Sequence, residues 1–332
     1  MAIAGVQACW LAMHCVVALA GTWLARGYAL RRALLDHPGE RRSHHQATPR
    51  GGGLGIAVAL LAALAWLAWT FPGERLPLLA AAAGLLLVAA TGWIDDHRPL
   101  PPVPRLLVHV LAAAGFAVAL ALHGSPPWAC VAAGVLALVL VNVWNFMDGI
   151  DGLAASQAAI AAGGYLLLGV GGAAGWFAAA LMAASLGFLP FNLPKARVFL
   201  GDVGSGTLGF AIAVAVALAC LRLPATTWGL LLLPLAAFGI DAGLTLASRI
   251  LHRERWWEPH VSHAYQRWAR RSGHGLVALA YAGWTLVGVA LMLRLPATGP
   301  WALVVGGTFG LASAYAWRDL RNRREQGMEG TE

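Results

Sequence analysis

The sequence predicts an all-α, polytopic integral membrane protein, a bundle of about eleven transmembrane helices. Three observations lead to this fold class. The 332 residues are 59% hydrophobic and 11% charged, with a mean hydropathy of +0.67, which lies outside the range of soluble domains. Apolar runs long enough to cross a hydrocarbon layer of roughly 30 Å recur along the chain. Basic residues are concentrated in alternate links between these runs.

The predicted helices follow one another with mostly short links. They begin near Val6, Leu54, Leu76, Leu106, Trp128, Leu153, Trp176, Ser205, Trp228, Leu276 and Trp301. Short links favour one packed bundle over separate domains. We therefore expect a single membrane domain over residues 1–317 and a disordered tail of basic and acidic residues over 318–332.

The distribution of basic residues predicts the orientation. Of the 23 Lys and Arg residues, 20 lie in one alternate set of links and in the C-terminal tail. The links of the opposite set contain only Arg75, Arg222 and Arg294. Positively charged links stay in the cytoplasm, so we expect a periplasmic N-terminus and a cytoplasmic C-terminus. The net charge of +8 is then mainly a topology signal that also attracts anionic headgroups and phosphates. It requires no nucleic-acid partner.

Five aspartates are predicted to share the cytoplasmic face. Asp95 and Asp96, Asp148 and Asp151, and Asp202 come from three separate links at helix ends. Carboxylates gathered in one patch repel each other unless a divalent cation or cationic side chains offset their charge. The pattern therefore predicts a hard cation, magnesium with manganese as the alternative, and a phosphate-bearing substrate.

The stretch "NVWNFMDGIDG" carries polar residues at intervals of three. Asn142, Asn145, Asp148 and Asp151 follow one side of a helix and continue past its end. The two glycines let the backbone leave the helix and approach a ligand closely. The alternative interpretation is ordinary polar capping at a membrane boundary.

Two further segments combine acids with helix ends. In "GWIDDHRPLPPVPRLL", Asp95 and Asp96 end one helix and Arg105 begins the next. Two neighbouring carboxylates cannot both ionise cheaply, which suits one of them to accept a proton, although a solvated turn is the alternative. In "FNLPKARVFLGDVGSGTLGF", Asp202 precedes a glycine-rich helix start whose backbone amides favour phosphate oxygens.

Two basic links complete the predicted inner face. "DHPGERRSHHQATPRGGGLG" contains His44 and Arg50, and a plain basic tether is its alternative interpretation. "RILHRERWWEPHVSHAYQRWARRSGH" contains His260, His263 and Arg267. Zinc binding there would need a third and a fourth ligand that the segment does not clearly supply. An amphipathic interfacial segment with phosphate-binding side chains fits better.

Five motifs together resemble a known family. "SHHQATPRGGG", "DDHRPLPPVPR", "NVWNFMDGIDG", "FNLPKARVFLGDVGS" and "PHVSHAYQR" occur in the order and spacing of the polyprenyl-phosphate N-acetylhexosamine-1-phosphate transferases. The resemblance covers the chain from Asp36 to Arg267. Within the family the chain is most similar to bacterial enzymes that initiate O-antigen or related surface polysaccharides. The peptidoglycan-precursor branch carries adjacent histidines in the final loop, and this chain lacks them.

The resemblance implies an activity, partners and a location. Sugar 1-phosphate would move from a UDP-linked N-acetylhexosamine to undecaprenyl phosphate in the bilayer of a bacterial inner membrane, with UMP leaving and magnesium required. N-acetylglucosamine, N-acetylfucosamine, N-acetylquinovosamine and N-acetylgalactosamine all stay open as the sugar. A one-step reaction, an aspartyl intermediate and a homodimer also stay open.

The resemblance also implies roles for individual residues. Asp202 and Asn145 would bind the metal. The catalytic group would comprise Asp95, Asp96, Asp148 and Asp151. The substrate-binding group would comprise His44, Arg50, Arg105, Asn192, His260, His263 and Arg267.

Two rivals come from other functional classes. An ion-coupled transporter would use Asp241, the one aspartate inside a predicted span, but the chain shows no inverted repeat. An intramembrane aspartyl protease needs two facing carboxylates within the bilayer, and acids at helix ends do not provide them.

Overall fold

The computed structural model describes residues 2–36, 47–255, 261–296 and 300–322. These ranges contain twelve α-helices, two 3₁₀ helices and one pair of two-residue strands. The α-helices are α1 (Ala2–Arg31), α2 (Leu54–Thr70), α3 (Arg75–His97), α4 (Pro102–Leu122), α5 (Pro127–Met147), α6 (Leu153–Leu167), α7 (Ala173–Asn192), α8 (Gly201–Cys220), α9 (Ala236–Leu251), α10 (Ala264–Ser272), α11 (His274–Arg294) and α12 (Pro300–Asn322). The 3₁₀ helices are Pro72–Glu74 and Ala225–Leu235, and the antiparallel strands are β1 (Leu35–Asp36) and β2 (Thr48–Pro49).

Eight helical segments in the described part of the chain are long and apolar enough to cross a membrane. They are Gly5–Arg31, Pro72–His97, Pro102–Leu122, Pro127–Met147, Ala173–Asn192, Gly201–Cys220, Ala225–Leu251 and His274–Arg294. The apolar helices α2 and α6 are shorter, with 17 and 15 residues. The all-α, multi-pass class is therefore confirmed. Each of the eleven predicted starts lies in a helix, while the number of crossings and the orientation stay predictions.

Helix α8 forms the centre of the bundle. Every residue from Val203 to Ala219 is buried, and α3 and α5 pack against this helix. Small residues allow the close approach. A Cβ atom on Gly209 would lie 2.2 Å from the carbonyl oxygen of Leu140, and one on Gly92 would lie 2.4 Å from the backbone of Asp202. The ends of α3 and α5 are thereby brought to the start of α8.

Links from the opposite set meet at the other end of the bundle. Glu74, between α2 and α3, is buried and accepts a hydrogen bond from Arg222, which follows α8. Since α8 has 20 residues, this ion pair lies about 30 Å from the helix start that carries Asp202. Two of the links that carry few basic residues therefore meet at the end of the bundle opposite Asp202.

The last helix extends beyond the predicted domain boundary. α12 continues through Asn322, so residues 318–322 of the predicted disordered tail are helical. Residues 323–332 lie outside the described ranges. The extension supports α10, because Arg267 Nη1 donates to the Arg321 carbonyl at 2.9 Å and Arg271 Nη2 to the Leu320 carbonyl at 2.7 Å.

Candidate active site

A cavity of about 240 Å³ lies where α3 and α5 end and α8 begins. It is lined by Asp36, Arg50, Asp96, Asn145, Asp148, Gly149, Ile150, Asp151, Asn192, Phe199, Gly201, Asp202, Val261, Gln266 and Arg270. The three predicted acidic links thus converge in one place. The predicted substrate-binding residues His44 and His260 lie outside the described residues.

Asp96 is the most buried carboxylate of this group and binds the start of α8. Its Oδ1 accepts a hydrogen bond from the Asp202 N–H at 3.1 Å, and its Oδ2 accepts one from the Val203 N–H at 3.2 Å. The first N–H groups of a helix lack partners within the helix, and a carboxylate is a strong acceptor for them. Asp96 therefore fixes the end of α3 to the start of α8.

Asp95 forms an ion pair beside the cavity. Its Oδ2 accepts from Arg105 Nη1 at 2.5 Å, and its Oδ1 accepts from the Leu100 N–H at 2.5 Å. The same Arg105 nitrogen lies 3.7 Å from Asp202 Oδ2. Arg105 therefore offsets the charge of two carboxylates that belong to different links.

Asp202 is joined to the end of α5 through Asn145. The amide Nδ2 of Asn145 donates to Asp202 Oδ1 at 2.5 Å and to Ser205 Oγ at 3.2 Å. Both hydrogen bonds of this nitrogen go to side chains of α8, and they fix the orientation of the Asn145 amide. The carboxylate of Asp202 and the amide oxygen of Asn145 are both hard oxygen donors.

Asp148 follows the last residue of α5 and is half-buried at the cavity wall. Burial raises the pKa of Asp148 well above its usual range, and the nearby charges of Asp202, Asp96 and Asp151 raise this pKa further. The cluster is therefore costly to hold fully ionised, which a bound cation would relieve.

We expect this raised pKa to make stability fall as pH rises in the absence of a divalent cation. Folded Asp148 keeps its proton above the ordinary value of 3.8, so the stabilisation is present below that pH and is lost as pH rises towards the folded pKa. The pH dependence of stability is measured from the unfolding midpoints of the wild type and of Asp148→Asn between about pH 5 and about pH 8. The variant should lose less stability over this interval, and parallel curves would contradict the assignment.

Asp151 and Asn192 are both engaged in holding the cavity wall. Asp151 Oδ2 accepts from the Ala196 N–H at 3.0 Å, and its Oδ1 lies 3.3 Å from His274 Nδ1. Asn192 Oδ1 accepts from the Gly152 N–H at 3.0 Å while its Nδ2 donates to the Val198 carbonyl at 3.0 Å. Their predicted catalytic and substrate-binding roles stay predictions.

The basic loop between α1 and α2 reaches the site through its glycines. Arg50 Nε donates to the Asp96 carbonyl at 2.9 Å, so its guanidinium caps the end of α3 instead of forming a plain tether. The N–H groups of Gly52 and Gly53 donate to the carbonyls of Phe199 and Leu200. A Cβ atom on Gly53 would lie 2.2 Å from the Cα of Gly204, so this approach requires glycine.

In the described part of the last basic loop, the predicted residues His263 and Arg267 do not line the cavity. His263 is buried with its Nδ1 3.4 Å from Asp241 Oδ1, and Arg267 binds the carbonyl of Arg321. The residues of α10 that line the cavity are Gln266 and Arg270. Their spacing of four in "AYQRWARRS", which places them on one helix face, is the signal that could have identified them.

The donor set fits a magnesium ion that substrate helps to hold. Within the described residues, no three His, Cys, Asp or Glu side chains are close enough to enclose a metal. Magnesium usually keeps several waters and binds through one or two carboxylates together with substrate phosphates. Asp202 and Asn145, with Asp148 nearby, match that mode of binding better than a preformed cage.

Fold and site together define a multi-pass membrane protein with an acidic cavity at one end of its helical bundle. Residues 78–220, which contain all five predicted site aspartates, match Glycosyl transferase family 4. This match, together with the relatives described below, confirms the resemblance to polyprenyl-phosphate hexosamine-1-phosphate transferases.

Three relatives illustrate the similarity. The probable undecaprenyl-phosphate N-acetylglucosaminyl 1-phosphate transferase of Bacillus subtilis (strain 168) is 26% identical over 268 residues, which is 74% of this chain and 72% of the relative. The decaprenyl-phosphate N-acetylglucosaminephosphotransferase of Mycolicibacterium smegmatis is 32% identical over 64% of this chain and 61% of its own length. A phospho-N-acetylmuramoyl-pentapeptide-transferase of Synechococcus sp. is 36% identical over 52% of this chain and 56% of its own length.

Proposed function

We propose that this protein transfers N-acetylhexosamine-1-phosphate from a UDP-sugar to undecaprenyl phosphate and releases UMP. The proposal rests on the acidic cavity formed by Asp96, Asp148 and Asp202 at the end of an apolar bundle. A site at the end of membrane-spanning helices would be accessible both to a lipid phosphate at the bilayer boundary and to a nucleotide in water. We place it at the cytoplasmic face of a bacterial inner membrane, as the basic links predict.

The reaction forms one bond and breaks another at the same phosphorus. An oxygen of the lipid phosphate attacks the β-phosphorus of the UDP-sugar, and the bond from that phosphorus to the UMP oxygen breaks. Such a transfer depends mainly on positioning and charge neutralisation. Magnesium bound to Asp202 and Asn145 would supply neutralisation of the diphosphate charge.

The other side chains of the site are assigned to phosphate binding, proton transfer and positioning. Arg50 and Arg270 line the cavity and are suited to bind phosphate oxygens. Asp148, with its raised pKa, is suited to exchange a proton with the lipid phosphate. We assign Asp95 and Asp96 to positioning, since their carboxylates are occupied by Arg105 and by the start of α8.

The pathway and the donor sugar are proposed from smaller features. The final loop "PHVSHAYQR" favours O-antigen or other surface polysaccharide initiation over peptidoglycan synthesis. UDP-N-acetylglucosamine is the first donor to test because relatives from three bacteria are named for that sugar. The N-acetylfucosamine, N-acetylquinovosamine and N-acetylgalactosamine nucleotides form the rest of the panel.

We expect the purified protein to release UMP only when UDP-sugar, undecaprenyl phosphate and magnesium are all present. UMP is measured by chromatography with each component omitted in turn. Release that is independent of the lipid phosphate would indicate hydrolysis of the nucleotide sugar. Failure with every donor of the panel would refute the proposal.

The structure gives no support to the ion-coupled transporter that would use Asp241. Its carboxylate is 2% exposed and accepts hydrogen bonds from two backbone N–H groups and two hydroxyls. A coupling acid must exchange its ion with water during transport. The bonds made by Asp241 instead indicate a fixed structural connection.

A further inference from the structure

Asp241 of α9 binds the start of α10. Its Oδ1 accepts from the Ala264 N–H at 3.0 Å, and its Oδ2 accepts from the Tyr265 N–H at 3.0 Å. These are the first two residues of α10, whose N–H groups have no partners within the helix. The carboxylate thus acts as a helix cap supplied from a distant part of the sequence.

Asp241 is itself fixed from other directions. The Tyr281 hydroxyl of α11 donates to Oδ2 at 2.6 Å, and the Thr245 hydroxyl donates to Oδ1 at 3.2 Å. His263 Nδ1 lies 3.4 Å from Oδ1. One buried carboxylate therefore joins α9, α10 and α11.

A second connection runs from α10 to the end of α5. The Tyr265 hydroxyl donates to the carbonyl of Phe146 at 2.9 Å, two residues before Asp148. A Cβ atom on Gly149 would lie 2.2 Å from this hydroxyl oxygen, so the glycine makes room for it. The start of α10 is therefore attached both to Asp241 and to the helix end that carries Asp148.

The side chains that α10 brings to the cavity follow directly after these attachments. Gln266 is the next residue after Tyr265, and Arg270 lies one turn further along on the same face. With nine residues, α10 is too short to keep its place by intrinsic helix stability, so tertiary contacts must fix it. The directions of Gln266 and Arg270 therefore depend on the capped start.

We infer that Asp241 is a positioning residue that holds Gln266 and Arg270 against the nucleotide-sugar, an inference that rests on the proposed function. In the proposed reaction, Asp202 and Asn145 act on phosphate groups that every candidate donor shares, so these two residues do not distinguish one donor from another. The amide of Gln266 and the guanidinium of Arg270 can bind polar groups of the donor that the metal does not contact. A donor analogue that leaves these side chains without a hydrogen-bond partner is rejected strongly. Asp241 acts on the donor through these two side chains.

The test is a double-mutant cycle between Asp241→Asn and the pair Gln266→Ala/Arg270→Ala. An amide at position 241 offers an N–H where the backbone of α10 needs an acceptor, so the KM for UDP-sugar should rise about tenfold with a smaller change in kcat. In the background of the pair, Asp241→Asn should raise KM less than twofold. Tyr281→Phe is the matched control, because it removes one donor to Asp241 and leaves both capping bonds; its KM should stay within about twofold of the wild type.

Hydrogen exchange supplies a readout that does not need activity. Asp241→Asn should speed amide exchange at the start of α10 at least about tenfold and leave peptides from α3 and α8 unchanged. Additive KM effects in the cycle, or unchanged exchange in α10, would overturn the inference. Should Asp241→Asn fail to fold, Asp241→Glu, which keeps a carboxylate but lengthens the side chain that accepts from Ala264 and Tyr265, replaces it in both measurements with the same expected non-additivity. A wild type that releases no UMP defeats the proposed function, whereas the exchange result still decides whether Asp241 holds α10.

Discussion

Asp202→Asn is expected to lower the rate of UMP release by about a thousandfold, the range seen when a group that acts at the reacting centre is removed. The Asp202 side chain lines the cavity, is 31% exposed and has Asn145 and Arg105 as its neighbours. The amide of asparagine keeps the volume but loses the charge that would bind magnesium. Because no buried donor is left unpaired, the unfolding midpoint should change little.

The contrast between rate and stability is the decisive part of this prediction. Asp319→Asn is the matched control, since Asp319 is an acid of α12 that does not line the site cavity. Its rate should stay within about twofold of the wild type, as for substitutions away from functional features. Turnover of Asp202→Asn at a near-normal rate would refute the metal assignment.

Asp96→Asn is expected to lower both stability and turnover. Asp96 is 3% exposed, and its two oxygens accept from the N–H groups of Asp202 and Val203. An asparagine leaves one of these donors facing an amide nitrogen, which costs about 1–3 kcal/mol of unfolding free energy. The start of α8 carries Asp202, so its displacement should also slow the reaction at least about tenfold.

Unfolding in detergent and UMP release at saturating substrate measure the two effects. Glu74→Gln serves as the control, because Glu74 is a buried carboxylate paired with Arg222 at the opposite end of the bundle. That variant should lose stability and keep its kcat. An Asp96→Asn protein as stable as the wild type would contradict the capping role.

The convergence of the acids could be predicted from the sequence because it depends only on alternation. Successive apolar spans return the chain to the same side, so the predicted spans place Asp95, Asp148 and Asp202 at one end of the bundle. Residues inside the cavity wall, such as Asn145, could also be placed by their spacing of three from Asp148. Because a long apolar helix crosses the bundle from one end to the other, a polar residue near its end can lie only at that end of the bundle.

The directions of side chains at the site could not be predicted in the same way. Asp96 and Asp95 are adjacent in sequence, yet one binds the backbone of α8 and the other binds Arg105. The spacing of four places Gln266 and Arg270 on one face of α10, but it does not show that this face meets the cavity while Arg267 binds α12. A nine-residue helix takes its orientation from tertiary contacts. Asp241 looked like an isolated acid in a span, since all its hydrogen-bond partners except Thr245 lie more than twenty residues away.

The most direct measurement follows the β-phosphorus of the donor. The protein is supplied with UDP-sugar labelled with a radioactive β-phosphate, together with undecaprenyl phosphate and magnesium, and the lipid and aqueous phases are then separated. Transfer of sugar 1-phosphate requires the label to enter the lipid phase in equal amount to the UMP released. Label that stays in the aqueous phase as UDP while sugar enters the lipid would show transfer of the sugar alone and would contradict the account.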